Sequence, residues 1–402
     1  MKTMMIFEPQ TEGHHAQYLK VTAEELIERG YMVTLVTFSS CCEDLIVRSL
    51  SNKFKGRFQV AFFRNESFWQ ACLKFPFQFK NEFIYYYLFK EFYKNLPESK
   101  KPSNIFLPFI NNIARLISLV GSPFKDASFS GLTMVFSFHH HKMGVLRKRH
   151  LGDRINKIMF LRMLRLKELE FLFTIDITLK KYIQEYYSDL NNKVVYVNDP
   201  AIINGEGDRN FIRSKYNIKL KDRIILVYGL LKRKKGIKWL IDSMKHEDFP
   251  KNTKIILAGI QKKEIRKILL TEEVKTYIKI GKIIEINEYV SEELEYQLYK
   301  ASDIVWLGYQ DFYGMSGVLV QAAKMGLPVL ATKNGLIGWY VKKYNIGEHV
   351  EITKPNTIAN ATKILCEDIE KYDNYKNNTL ALAKEHTICN FTNTICNTII
   401  IK

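Results

Sequence analysis

The sequence has no hydrophobic run near the ~18–20 residues that cross a bilayer. Its opening, MKTMMIFEPQTEGHH, reaches an acidic residue after too short an apolar stretch for a secretory signal. Cysteine is scarce, six in 402 residues: Cys41–Cys42 are adjacent, Cys389 and Cys396 have six residues between them, and Cys72 and Cys366 stand alone. No C-x-x-C spacing occurs, which removes zinc-ribbon, redox-dithiol and disulfide-scaffold classes. The thiols read as reduced, small apolar side chains of a cytosolic protein. With 20 glycines and 10 prolines the chain is neither collagen-like nor low-complexity, and 47% hydrophobic content excludes a disordered one. No G-x-G-x-x-G follows a strand and no G-x-x-x-x-G-K-[ST] exists, so dinucleotide dehydrogenases and P-loop NTPases lose their weight.

Positive charge is abundant. Sixty Lys and Arg against 42 Asp and Glu give +18, shared about evenly between the halves, so there is no basic tail. Such an excess favours anionic partners. Two places concentrate it: residues 142–167, with nine Lys/Arg and one acid, and Lys232-Arg233-Lys234-Lys235. In the first, Ile155, Ile158, Met159, Leu161, Met163 and Leu166 lie among the cations, a pattern suited to a helix on an anionic membrane surface. Segment 75–96, rich in aromatics, reads as a buried helix with solvated lysines. No nucleic-acid module appears, and nucleic acid is not an expected partner.

The length allows two cores. Strands are expected at 3–8, 32–38, Phe58–Phe63, Leu132–Phe138, Phe171–Ile175 and Val194–Val197. Helices fall at Tyr18–Arg29, ending at Gly30, and at 80–95 and 154–169. Residues 198–222 are polar and turn-rich, a linker. A second series follows, with strands Ile224–Tyr228, Lys254–Leu257, Ile283–Ile286, Ile304–Leu307 and Val329–Ala331. Its helices fall at 236–245, 262–279, 292–300 and 317–325, and the tail 358–388 is helical. Alternation in both halves predicts an α/β protein of two doubly wound Rossmann-like domains facing a central cleft, at 1–205 and 206–402, the C-terminal helical tail packing back on the first.

Doubly wound sheets bind ligands beyond the carboxyl ends of their strands. One such end reads Gly229-Leu230-Leu231 and then four cations and Gly236, ahead of a helix; charge and free amides there suit an anion, while a solvated basic turn is the alternative. Another reads Gly308 to Val318, with Asp311, Tyr313, Gly314, Ser316 and Gly317, feeding the helix LVQAAKMG. Glycines there let a phosphate approach the backbone. His139-His140-His141 follow the expected strand Leu132–Phe138; an exposed turn is the plain alternative. A metal site is not expected, because adjacent histidines converge poorly on one ion and no carboxylate partner stands out.

Four segments in order, YGLLKRKKGIKWLIDSM, YVSEELEYQLYKASDIVWLGY, YGMSGVLVQAAKMGLPVLAT and NGLIGWYVKKYNIG, resemble the retaining family-4 glycosyltransferases of the two-domain GT-B fold. The first strand, the Gly13-His14-His15 loop and the helix to Gly30 are similar to that family's opening unit. The resemblance implies that Lys235 contacts the donor diphosphate and that a basic contact is missing at Leu230, where Lys232, Arg233 or Lys234 could supply the charge. The family's glutamate pair falls on Tyr313 and Gln321, neither a carboxylate; Gln321 can still bond a ribose, and Asp311 could stand in for the lost acid. It also implies a histidine near sugar or acceptor, on His139 or His140.

The chain is thus expected to be a glycosyltransferase moving a sugar from a nucleotide-diphosphate donor to a glycan or lipid-linked acceptor in surface polysaccharide biosynthesis. The donor site would comprise Gly229, Lys234, Lys235, Tyr313, Gly314, Ser316, Gly317, Val318 and Gln321. The catalytic set would be His139, His140 and Asp311, with Gly13, His14 and His15 meeting the acceptor. No cofactor or metal is expected, and the location is cytoplasmic, peripheral on the inner face of the membrane through 142–167. The missing glutamates support an alternative: a catalytically inactive GT-B homologue that binds glycan or a partner subunit.

Overall fold

The computed structural model describes residues 2–11, 13–74, 80–102 and 104–400. The chain divides into two compact units. The first holds Met1–Met143, Arg149–Asn198 and Ile388–Lys402; the second holds Gly144–Lys148 and Asp199–Thr387.

In the first unit, seven parallel strands form one sheet: β1 (Thr3–Phe7), β2 (Met32–Thr37), β3 (Phe58–Phe62), β4 (Asn104–Leu107), β5 (Phe129–Thr133), β6 (Leu169–Thr174) and β7 (Val194–Tyr196). Their order is β3-β2-β1-β4-β5-β6-β7. The apolar strand TMMIF is buried over its last four residues, as a two-sided parallel strand must be. Its crossover helix, Gly13–Glu28, turns Tyr18, Leu19, Ala23, Leu26 and Ile27 inward. It ends at Gly30, whose φ of +89° is the left-handed conformation that stops a helix. The same helix takes the last one, Ile388–Ile400, as its neighbour: Tyr18 stacks on Phe391 at 5.3 Å, and the Arg29 guanidinium donates to Asn393 and Asn397.

The second unit repeats the plan with six parallel strands: β8 (Arg223–Tyr228), β9 (Thr253–Ala258), β10 (Ile283–Ile286), β11 (Ile304–Leu307), β12 (Val329–Thr332) and β13 (Gly347–Val350), in the order β10-β9-β8-β11-β12-β13. In each sheet the order reverses direction beside the unit's first strand, the switch point where such sheets hold ligands. A buried network fixes the base of the second sheet. The Asp303 carboxylate accepts from Arg209, Arg213, Arg223 and the Ile224 amide.

The structure departs from expectation in several places. The strand placed at Leu132–Phe138 lies at Phe129–Thr133, because Phe136 and Phe138 leave the sheet to pack on Phe160. The helix expected over 154–169 is Asp153–Leu164, since Leu169 already starts β6. β4 and β13 were not anticipated, and the presumed linker contains a helix, Asn210–Lys215. The division falls at 198/199 rather than 205/206, with 144–148 grouped in the second unit.

Candidate donor site and a buried histidine cluster

The basic loop after β8 does not splay into solvent. A short 3₁₀ turn, Arg233–Lys235, precedes Gly236 and the helix Ile237–Ser243. Gly236 has φ +65°, and a Cβ there would lie 2.1 Å from the Gly308 carbonyl oxygen, so only glycine lets this loop touch the loop after β11. Two further bonds join them: Gln310 N donates to Lys234 O (2.8 Å) and Trp306 Nε1 to Lys235 O (2.7 Å).

This places Lys235 almost wholly inside. Its ammonium donates to the Tyr228 carbonyl at 2.6 Å and to the Tyr309 hydroxyl at 2.8 Å. The same hydroxyl lies 3.2 Å from Ser316 Oγ. Lys235, Tyr309 and Ser316, all buried, therefore form a continuous chain between the two loops. Gly229, with φ +95°, borders it: a Cβ there would sit 3.6 Å from Lys235 Nζ. Burial alone would push the Tyr309 phenol up, but the charge and hydrogen bond of Lys235, with Ser316 and Lys234, hold it below its ordinary value. Lys234 lies 4.6 Å over the Phe312 ring; burial, then the charges of Lys232 and Lys235, push its ammonium down.

Ser316 is also the N-cap of the helix Gly317–Lys324, but its side chain makes no capping bond. The amides of Gly317 and Val318 meet no acceptor among the described residues. A buried ammonium beside an uncapped helix N-terminus is an arrangement that attracts an anion. Gly314 sits half-buried on the same loop. Tyr313 carries the Arg147 guanidinium 5.6 Å above its ring. Arg147 belongs to the segment 144–148, which Gly335 N anchors through Leu146 O at 2.7 Å. Gln321 accepts from the Ile203 amide at 2.8 Å, so its carbonyl oxygen is taken by the backbone. Asp311 is exposed with φ +48°, a conformation aspartate tolerates better than most side chains. Leu230 is exposed where the resemblance implies a cation.

In the first unit, His139 and His140 are buried, not an exposed turn. Both point Nε2 at one carboxylate oxygen, Asp176 Oδ2, at 3.0 and 3.2 Å. The other oxygen caps the helix Ile177–Tyr186, accepting from Thr178 N, Thr178 Oγ1 and Leu179 N. Burial would raise this carboxyl; hydrogen bonds from His139 and His140 and their charges hold it well below the carboxylate range. The three side chains form the group of described residues able to hold a metal ion, with ligand atoms within 4.8 Å. The sequence argument against convergence is therefore corrected: a 3₁₀ turn from His140 brings adjacent imidazoles together, and Asp176 is the carboxylate partner. With five donors already on its two oxygens, Asp176 needs no cation to be satisfied. Gly13, His14 and His15 open the helix Gly13–Glu28, but their side chains lie outside the described residues.

The basic stretch 142–167 is also partly reassigned. Leu161 and Met163 are core residues and Arg147 is buried, leaving Leu146, Leu151, Ile155 and Ile158 as its exposed large apolar side chains. In the aromatic segment, Ile84, Tyr85, Leu88 and Phe89 are buried as expected; residues 75–79 lie outside the described ones.

Sequence reasoning missed Tyr309 and Asp176. Tyr309 stood two residues beyond an expected strand end, but a lone tyrosine carries no motif. Asp176 had a signal, Asp-x-Thr between a strand and a helix, the pattern of an N-cap.

Residues 208–381 match the family model described as "Glycosyl transferases group 1". No curated protein matches the sequence. Solved structures match in fold at low identity. Anabaena HepE in complex with UDP-glucose is 14% identical, with 100% of both chains covered and a TM-score of 0.67. Sucrose-phosphate synthase from Thermosynechococcus elongatus is 13% identical, covering 100% of this chain and 97% of that one, with a TM-score of 0.67. WaaG, a glycosyltransferase involved in lipopolysaccharide biosynthesis, is 14% identical over 100% of both chains, with a TM-score of 0.64. The region containing the Lys235–Tyr309–Ser316 chain thus matches the group 1 glycosyltransferases, and the whole polypeptide has the GT-B fold.

Proposed function

We propose that this protein is a retaining, family-4-like glycosyltransferase. It moves a hexosyl or related group from a nucleotide-diphosphate donor to a glycan or lipid-linked acceptor, in surface polysaccharide assembly. The second unit takes the donor, through Gly229, Lys234, Lys235, Gly314, Ser316, Gly317 and Val318; the first takes the acceptor, with Gly13, His14 and His15 as candidates. The observation that carries the reading is the ammonium of Lys235 tied through Tyr309 to Ser316, at the uncapped start of a helix. Fixed charge and free amides there stabilise the negative charge that builds on a departing diphosphate, work that needs no divalent cation. That neighbours were crystallised with UDP or UDP-glucose supports a nucleotide-sugar donor.

His139, His140 and Asp311 are the proposed catalytic candidates, with unequal support. Asp311 is exposed on the donor loop, whereas both imidazoles are buried and already bonded to Asp176. Tyr313 and Gln321 stand at the sugar and ribose positions. For peripheral attachment to the inner face of the cytoplasmic membrane, the support is the exposed Leu151, Ile155 and Ile158 among exposed arginines. The test is a panel of nucleotide sugars, read first by thermal shift and then by donor turnover. Stabilisation by one donor and its consumption support the proposal; absence of any donor binding removes it.

A second reading, an inactive homologue that binds glycan or a partner subunit, is favoured by one observation: neither glutamate position holds a carboxylate, and the Gln321 amide oxygen already accepts from Ile203 N. Donor binding without turnover, alongside glycan binding, selects it.

A further inference from the structure

Tyr309 occupies none of the positions that the glycosyltransferase resemblance assigns a role, yet it is the atom bridge between the two donor loops. Its hydroxyl accepts from Lys235 Nζ at 2.8 Å and lies 3.2 Å from Ser316 Oγ. Two consequences follow from that placement. An ammonium has three donors, and among the described residues Lys235 uses two, on Tyr228 O and on Tyr309, which leaves one N–H of a buried cation for a further acceptor. Serine ordinarily caps its own helix through its hydroxyl. Here Ser316 instead engages Tyr309, and the amides of Gly317 and Val318 are left without an acceptor among the described residues.

We propose that Tyr309 is the positioning residue of the diphosphate grip, its hydroxyl holding Lys235 in place and keeping Ser316 from capping its helix, so that both present open donors to one anion. This rests on the donor reading above and deepens it. A phenylalanine at 309 keeps the buried ring but loses the bridge. Lys235 then settles on Tyr228 O, and Ser316 is free to close the helix end. The charges surrounding the phenol are those of Lys235 and Lys234, and with the Lys235 hydrogen bond they hold it below its ordinary value despite its burial.

The experiment is calorimetric binding of UDP, UMP and inorganic pyrophosphate to the full chain and to Tyr309→Phe, with melting curves alongside. Expected is a loss of UDP and pyrophosphate affinity of about 10- to 100-fold, the cost of one hydrogen bond to a charged group, with UMP held within about twofold and little change in melting. A merely structural tyrosine would weaken UDP and UMP together, and that result overturns the proposal, as does unchanged UDP binding. Should Tyr309→Phe fail to fold, Ser316→Ala serves. It is expected to weaken UDP selectively, and equal losses of UDP and UMP count against Tyr309. If the wild-type chain binds neither UDP, GDP, ADP nor pyrophosphate, the donor reading itself falls, a result distinguishable because it needs no variant.

Discussion

Two helices begin just beyond parallel strands, one in each unit, and their first turns are finished in opposite ways. The helix Ile177–Tyr186 is closed by its own aspartate: Asp176 caps it with one oxygen and takes two histidines with the other. The helix Gly317–Lys324 starts with a serine whose hydroxyl faces away from it, beside a buried ammonium. A helix N-terminus carries about half a positive charge. In the first unit that charge is cancelled from within by a carboxylate; in the second, more positive charge is placed beside it. In the first the carboxylate is fully engaged, and in the second two amides have no acceptor among the described residues, although strand-then-helix looks the same in both.

The comparison can be broken from either side. Asp176→Ala should have the largest effect. It strands two imidazole donors and two amides inside the first unit, at a cost of about 3–5 kcal/mol in urea unfolding; a loss under about 1 kcal/mol would show that the cluster is not closed. Lys235→Ala should weaken UDP by about 10- to 100-fold while leaving acceptor-glycan binding unchanged, as checked by calorimetry. Equal loss of both ligands would remove Lys235 from the donor site. Ser316→Asp converts the open helix end into the closed kind. It should raise stability by up to ~1 kcal/mol and cost UDP at least about tenfold; unimpaired UDP binding would mean that the anion lies elsewhere. The smallest effect concerns Glu295, whose carboxyl burial raises to about 7, aided by the Glu292 charge and opposed by the Tyr228 hydroxyl. The unfolded chain gives up this proton near its ordinary 4.5 and the folded chain only near 7. This group's contribution is therefore complete below 4.5 and lost as pH rises through about 7. Melting curves between pH 5 and 8 should fall less steeply for Glu295→Gln.

How legible the molecule was in its sequence follows the range of the forces involved. Strands β8 to β12 are short apolar runs bounded by turns, so local pattern located them. β13, GEHV, is too polar to read as a strand and is paired only because β12 offers an edge. The run after Leu132 misled because its aromatic residues suit a strand, yet tertiary packing on Phe160 claims Phe136 and Phe138. Among the candidate site residues, Lys235 is marked in the sequence only as lysine before glycine, and Gly236 is explained by the 2.1 Å approach of Gly308 O. Tyr309 was invisible because its role exists only between two loops 74 residues apart. The His139–Asp176 pairing, 37 residues apart, was hidden for the same reason.

One feature of the chain path bears on how the protein is made. The helix Ile388–Ile400 completes the first unit, through the Tyr18–Phe391 stack and the Arg29 bonds to Asn393 and Asn397, yet it is encoded after the entire second unit. On the ribosome the early-synthesised sheet therefore stands with the face that receives this helix uncovered until the whole later-made unit has been translated. Usual vectorial order, amino-terminal domain first, is inverted here. A released chain ended by a stop codon at position 388 should have a second unit that resists protease and a first unit that resists it less.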